Sequence, residues 1–194
     1  KIFVDLISAD DTEIRVLAVN VLGKIGGVSE LKNLISALQD KETRVRESAA
    51  MSLGKLGKKE AVFDLLSALS DPANSVVCAA AEALGELKVD EAVEPLISLF
   101  SNKDPKIRES AIVALGKFQD NRAIDPLINS LKDKDERVRW YAADTLGKIG
   151  TKKAVMPLIA LLADESARVR ESTAAALGLI GDESAVEPLI KLLE

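Results

Sequence analysis

Apolar residues along the chain follow two helical spacings that take turns. Val45, Ala49, Ala50, Leu53 and Leu56 fall at i, i+4, i+5, i+8 and i+11, one face of a helix predicted from about Thr43 to Leu56. Val62, Leu65, Leu66 and Leu69 mark a shorter helix from about Glu60 to Leu69 with its own apolar stripe. This two-helix unit then recurs. The pair Leu-Gly stands at Leu22-Gly23, Leu53-Gly54, Leu84-Gly85, Leu115-Gly116, Leu146-Gly147 and Leu177-Gly178, always 31 residues apart. Ile14, Val45, Val76, Ile107, Val138 and Val169 hold the same register, as do Leu34, Leu65, Leu96, Leu127, Leu158 and Leu189. The pattern divides the chain into repeats at approximately 1–27, 28–58, 59–89, 90–120, 121–151 and 152–182, with a half-repeat at 183–194.

The punctuation agrees with this division. Gly26, Gly57, Gly150 and Gly181 follow the last apolar residue of the second helix, where a left-handed residue commonly ends a helix. Lys88 and Gln119 replace that glycine, so the turn is expected to close differently there. Asp104-Pro105 reads as an N-cap followed by proline at the first helical position. Pro95, Pro126, Pro157 and Pro188 fall about a turn into the first helix, which is therefore expected to bend. The glycine of each Leu-Gly lies inside the second helix at a cost of roughly 1 kcal/mol against Ala, which implies that a neighbouring helix comes close.

No Pro/Gly/Ser linker breaks the register, so residues 1–194 are expected to form one all-α domain. The chain opens in a first helix (Phe3, Val4, Leu6, Ile7) and closes in another (Leu189, Ile190, Leu192, Leu193), giving six helix pairs and one unpaired terminal helix. No repeat can bury its apolar face alone, so stacking makes the core. The apolar last helix predicts an imperfect cap, and with it either a longer array or self-association through uncapped ends.

Composition narrows the chemistry. A 47% hydrophobic content excludes a disordered chain, and an aromatic fraction of 3% suits many thin, similar helix contacts. A net charge of −5 gives no global field for phosphate backbones. Cys78 is the sole cysteine and cannot form an intrachain disulfide, no apolar run approaches the roughly 20 residues of a membrane span, and no secretory signal is visible. A cytoplasmic protein without membrane contact is expected. With no His and one Cys, the chain lacks the common general base, the His-containing triads and the soft-metal clusters. The expectation is no catalytic residue, no metal, no cofactor and no enzymatic activity. Asp10-Asp11 and Asp182-Glu183 read as caps and solvated charge in turns. Gly26-Gly27 has neither a preceding strand nor a Gly-Lys-Ser/Thr continuation, and reads as a helix stop.

The run Asp-x₄-Val-Arg-x-x-Ala-x₃-Leu-Gly, followed by Ala-Val-x-Pro-Leu-Ile, is carried by Asp133, Val138, Arg139, Ala142, Leu146, Gly147, Ala154, Val155, Pro157, Leu158 and Ile159. It resembles the short HEAT-like repeat of phycobilisome lyase subunits and covers essentially the whole chain. The resemblance implies a right-handed α-α superhelix, a HEAT-like solenoid with the first helices on its convex side and the second helices lining its concave side. It also implies that Asp40, Asp71, Asp133 and Asp164 form an inter-repeat ladder with Arg15, Arg46, Arg108, Arg139 and Arg170, broken at Val77 and Asn102. The iron-dependent deoxyhypusine hydroxylases among such proteins use paired His-Glu motifs, which this chain cannot form. HEAT-like DNA glycosylases bind DNA in the groove, and Arg44, Lys106, Arg137 and Arg168 would be suitable rim charges. Against that, Glu47, Glu82, Glu109, Asp144 and Glu171 would repel phosphates, so nucleic acid is a disfavoured partner.

Individuality sits on second-helix positions outside the apolar stripe. Arg-Glu-Ser appears at residues 46–48, 108–110 and 170–172, whereas the intervening copies read Arg15-Val16-Leu17, Val77-Cys78-Ala79 and Arg139-Trp140-Tyr141. Trp140 and Tyr141 are the sole Trp and Tyr, at columns that carry Glu and Ser in three other copies, so those columns are expected to be partly wet. They mark the candidate partner-binding site, with Glu109, Val113, Asp144 and Glu171 forming an apolar patch rimmed by acid that would suit a basic or amphipathic protein or peptide. Cys78 and Glu82 extend the candidate surface. A structural alternative has the aromatics covering Arg or Lys stems between repeats. The expected function is a non-catalytic protein-binding scaffold. The alternatives are a subunit of a two-component enzyme such as a bilin lyase and, less favoured, a nucleic-acid-binding protein.

Overall fold

A computed structural model describes residues 5–191, the side chains of residues 28 and 29 excepted. Among the described residues, all regular structure is helical. The second helices of the repeats are α1 (Thr12–Ile25), α3 (Thr43–Leu56), α5 (Asn74–Leu87), α7 (Pro105–Gly116), α9 (Glu136–Ile149) and α11 (Ala167–Ile180). The first helices are α2 (Val28–Ala37), α4 (Val62–Ala68), α6 (Val93–Ser98), α8 (Ile124–Ser130), α10 (Val155–Leu161) and α12 (Val186–Ile190). Of the opening helix expected from Phe3, Val4, Leu6 and Ile7, Phe3 and Val4 fall outside the described residues, as do the last apolar residues Leu192 and Leu193.

The chain forms two compact units, residues 1–95 and 96–194. Within the first, α1 packs on α3 and α3 on α5; within the second, α7 packs on α9 and α9 on α11. Each of α3, α5, α9 and α11 also packs on the first helix just before it, which places the core between two helix layers. Val45, Ala49, Ala50 and Leu53 are buried in the first unit, and Val138, Ala142, Ala143 and Leu146 repeat the arrangement in the second. Leu34, Leu65, Leu96, Leu127 and Leu158 are fully buried from the other layer.

The recurrent glycine is set by a close approach of helices. A Cβ on Gly54 would lie 2.7 Å from the Ala83 Cα, and one on Gly147 would lie 2.6 Å from the Ala176 Cα. Backbone cannot yield cheaply, so a side chain at either position would force the helices apart.

Two expectations, about the Lys88 turn and the first helices, are corrected. Lys88 does not close its turn differently: its φ of 49° lies in the same left-handed region as Gly26, Gly57, Gly150 and Gly181. Gln119 shares that region at φ 55°, but its turn does close differently, because α7 already ends at Gly116 and the Lys117 and Phe118 N–H groups donate to the Ala114 and Leu115 carbonyls. The closing bond from the Lys88 N–H to the Leu84 carbonyl, 3.0 Å, holds a non-glycine residue in that conformation. The first helices are also not long helices bent at proline. Except for α2, which is one α-helix from Val28 to Ala37, each begins as a separate 3₁₀ turn, such as Asp90–Ala92, Asn121–Ala123 or Lys152–Ala154, followed by a new α-helix. Pro95, Pro126 and Pro157 sit in the first turn of that α-helix, where a missing N–H leaves no intrahelical bond unmade. The same break occurs at Lys59–Ala61, where Asp64 stands in the proline column, so proline does not cause it.

Candidate functional site

The arginine ladder gives each unit its rigid frame. In the second unit Arg139 donates from Nε and Nη2 to the two carboxylate oxygens of Asp164, at 2.7 and 2.9 Å. Its Nη1 donates to the Asp133 carbonyl at 2.9 Å. Arg108 grips Asp133 in the same way at 2.7 and 2.6 Å. In the first unit Arg15 takes Asp40, and Arg46 takes Asp71. Each aspartate also accepts the backbone N–H two residues on, as Asp164 does from Ser166 at 2.9 Å, so one carboxylate caps the following turn and anchors the neighbouring repeat. The Arg46 hydrogen bond holds the Asp71 carboxyl below its ordinary range. Burial pushes Asp164 upward, but its bonds to Arg139 and the Ser166 N–H outweigh that and lower it. Asn102 keeps the local half of the role by accepting from the Asp104 N–H at 2.9 Å.

This frame presents one face of each second helix. In the second unit the face comprises Lys106, Glu109, Ser110 and Val113 on α7 and Lys117 just after it, with Arg137, Trp140, Tyr141, Asp144 and Lys148 on α9. On α11 it comprises Arg168, Glu171, Ala175 and Leu179, with Ser172 buried beneath it and its hydroxyl donating to the Trp140 carbonyl. Trp140 and Tyr141 are both half-buried, with ring centroids 4.1 Å apart and planes tilted by 51°. The Arg168 guanidinium carbon sits 3.8 Å from the centroid of Trp140, close enough for a cation–π contact. Arg137 donates to Glu109 at 2.7 Å, and the Glu109 charge, with a smaller contribution from Tyr141, raises the Arg137 pKa. The order Glu109, Arg137, Tyr141, Trp140, Arg168 is therefore a continuous run of contacts across three helices.

The structure brings together Glu109, Trp140 and Tyr141, and places Val113, Asp144 and Glu171 on the same face. Cys78, half-buried, and Glu82, exposed, belong to α5 of the first unit. Glu82 lines a small depression of about 110 Å³ with Met51, Lys55, Ala79 and Glu86. The acidic rim expected around the aromatics is corrected: Glu109 is paired with Arg137, and Asp144 with Lys148 at 2.6 Å. The residue that sequence reasoning missed is Arg168, read as rim charge although it lies on the Trp140 ring. Its signal was a spacing of 28 residues, the same offset that joins Arg137 to Glu109. Among the described residues no cluster of His, Cys, Asp and Glu could hold a metal ion, and no helix is long and apolar enough to cross a membrane.

The family described as HEAT repeats matches residues 1–81, 62–138 and 124–194. Among solved structures, the chain is similar to the complex of CpcE and CpcF of phycocyanin lyase from Nostoc sp. PCC7120. The identity is 27% and the TM-score 0.70, over 96% of this chain and 78% of that one. An engineered protein matches at 23% identity and TM-score 0.65, over 92% of this chain and 97% of that one. A designed armadillo repeat protein in complex with the peptide (KR)4 matches at 18% identity and TM-score 0.64, over 92% and 98%. The last two share the solenoid fold. No curated protein matches at a significant level. The expectation that the chain is no enzyme is overturned by the first of these likenesses, which is to a chain of a lyase. An inventory of imidazoles and thiols counts what one chain carries, whereas a two-chain complex can divide binding and chemistry between its members.

Proposed function

The chain belongs to the family of HEAT repeats, and on that premise we propose that it binds a partner protein through the second-helix face of residues 96–194, at a site centred on Trp140 and Tyr141. One observation carries this reading. Two aromatic rings stand half-exposed, Trp140 in the column where other repeats place Glu47, Glu109 and Glu171 and Tyr141 in that of Ser48, Ser110 and Ser172. Core packing does not require them there, and large amphipathic rings on a rigid helix are the residue types that dominate interface energetics. The Arg168 contact to Trp140 matches the structural alternative in part, yet it leaves both rings accessible. Captured partners identified by mass spectrometry, followed by titration against Trp140→Ala, test the site. The variant is expected to weaken binding by about 2 kcal/mol or more with unchanged helicity. A variant that melts early yet binds normally when folded would remove the assignment.

A second reading, a subunit of a two-component enzyme such as a bilin lyase, is favoured by the 27% identity to a chain of the phycocyanin lyase complex. Tetrapyrrole absorbance acquired by the chain together with its captured partner would support it. A partner complex that takes up no tetrapyrrole would count against it.

A further inference from the structure

The two second-helix faces differ in charge, and the difference specifies the partner. On α1, α3 and α5 the face carries Glu13, Glu47, Glu82 and Glu86 against Lys24, Arg44 and Lys55. On α7, α9 and α11 it carries Lys106, Arg137, Lys148 and Arg168, with Lys117 just after α7, against Glu109, Asp144 and Glu171. A chain of net charge −5 thus turns a net positive face outward around its paired aromatics. Two of the three carboxylates there are already engaged, Glu109 by Arg137 and Asp144 by Lys148. Arg168 is exposed and makes no ion pair among the described residues; its guanidinium carbon is held 3.8 Å over Trp140. A guanidinium held over a ring keeps its N–H donors around its rim, fixed in a fork that fits a carboxylate. Beside that fork lie the Trp140 and Tyr141 rings.

Resting on the docking site proposed above, we infer that the segment it takes is acidic: a stretch of partner protein that seats an Asp or Glu carboxylate on Arg168 and lays an adjacent apolar side chain on Trp140 and Tyr141. The electrostatic sign is opposite to that expected from the sequence, because two of the three acids that would have drawn a basic segment, Glu109 and Asp144, are paired within the chain and the cations of the face outnumber them. Desolvating Arg168 against the ring while a carboxylate takes its free donors gives an interaction stronger than a surface ion pair, since the stacked guanidinium is already ordered. Nucleic acid is the less suitable anion: Glu171, exposed and without an ion pair among the described residues, lies three residues from Arg168 on the same face and repels a backbone charged at every unit more than a segment that brings one carboxylate to Arg168 and an apolar side chain beside it.

Trp140 is the sole tryptophan, so its emission reports on the site directly. The chain is titrated with a short blocked peptide of alternating Glu and Leu, with Gln–Leu and Lys–Leu counterparts, and with oligothymidylate. The Glu–Leu peptide is expected to shift the emission saturably, more tightly than Gln–Leu, with affinity falling as salt rises. Arg168→Gln should lower that affinity about tenfold, Arg168→Lys should restore part of it, and circular dichroism should show the same helicity throughout. The inference is overturned if Lys–Leu binds as tightly, if Arg168→Gln changes nothing, or if oligothymidylate binds through Arg168 in place of the peptide. If no Glu–Leu binding is seen while Trp140→Ala abolishes capture of the partner, the acidic segment is refuted and the docking site stands. If Trp140→Ala leaves capture intact, the docking site falls and the acidic segment with it.

Discussion

Helices α9 and α11 share one sequence pattern and occupy different surroundings. In α9, Arg139 holds the Asp164 carboxylate and Gly147 receives the Ala176 backbone. In α11, Arg170 occupies the same column and, among the described residues, donates only to the Asp164 and Glu165 carbonyls, at 2.8 and 3.1 Å. Gly178, in the Leu-Gly column, has nothing within 4 Å of where its Cβ would be. The pattern thus has two separable parts. The carbonyl bonds and left-handed turns are made within a repeat, whereas the carboxylate pair and the glycine contact need a neighbour.

The comparison breaks most visibly at the arginines. Arg139→Ala is expected to cost about 3 kcal/mol or more, because it strands the buried Asp164 carboxylate. Arg170→Ala should cost about 1–2 kcal/mol less than that, since it removes carbonyl bonds alone. Denaturant midpoints of the two variants test this, and equal losses would refute the division. Next in size, Gly147→Ala should destabilise by about 1–3 kcal/mol through overpacking, despite the better helix propensity of Ala.

Acid provides a smaller, graded test. The folded-state pKa values of Asp71 and Asp164 lie below the ordinary aspartate value, so the unfolded chain takes up protons first. Their contribution is complete above about pH 4 and is lost as the pH falls through the depressed values. Asp164→Asn should flatten the acid limb of an unfolding curve, which circular dichroism across pH would read. The smallest effect has the opposite sign: Gly178→Ala should stabilise by about 0.5–1 kcal/mol, because helix propensity acts there without a clash. A loss of thermal stability would show that the α11 face is covered.

The second helix Thr43–Leu56 was legible in the sequence to the residue, because its apolar stripe sets its extent and the terminal glycine marks its end. First helices were not. One turn of 3₁₀ helix and one turn of α-helix carry nearly the same apolar spacing, so residues such as Lys59–Ala61 merge with the helix that follows them. Lys88 misled for another reason: glycine is the cheapest left-handed residue, but the hydrogen bond to Leu84 imposes the conformation on whatever stands there. At the candidate site the wet columns could be read from the glutamates that share them. The placement of Arg168 over Trp140 could not, because it depends on how far a long side chain reaches back across a repeat.

Each rung of the ladder joins residues 25 apart in sequence, as in Arg15–Asp40, Arg46–Asp71, Arg108–Asp133 and Arg139–Asp164. Forming any one of them closes a loop shorter than a single repeat, and the entropic cost of closure is the same at every rung. No rung waits on distant chain ends to meet. Such contacts give fast, local assembly that can nucleate at more than one place and spread to the adjoining repeat. Amide hydrogen exchange should accordingly release protons in steps one repeat wide, with the amides of α9, packed by helices on both sides, among the last to exchange.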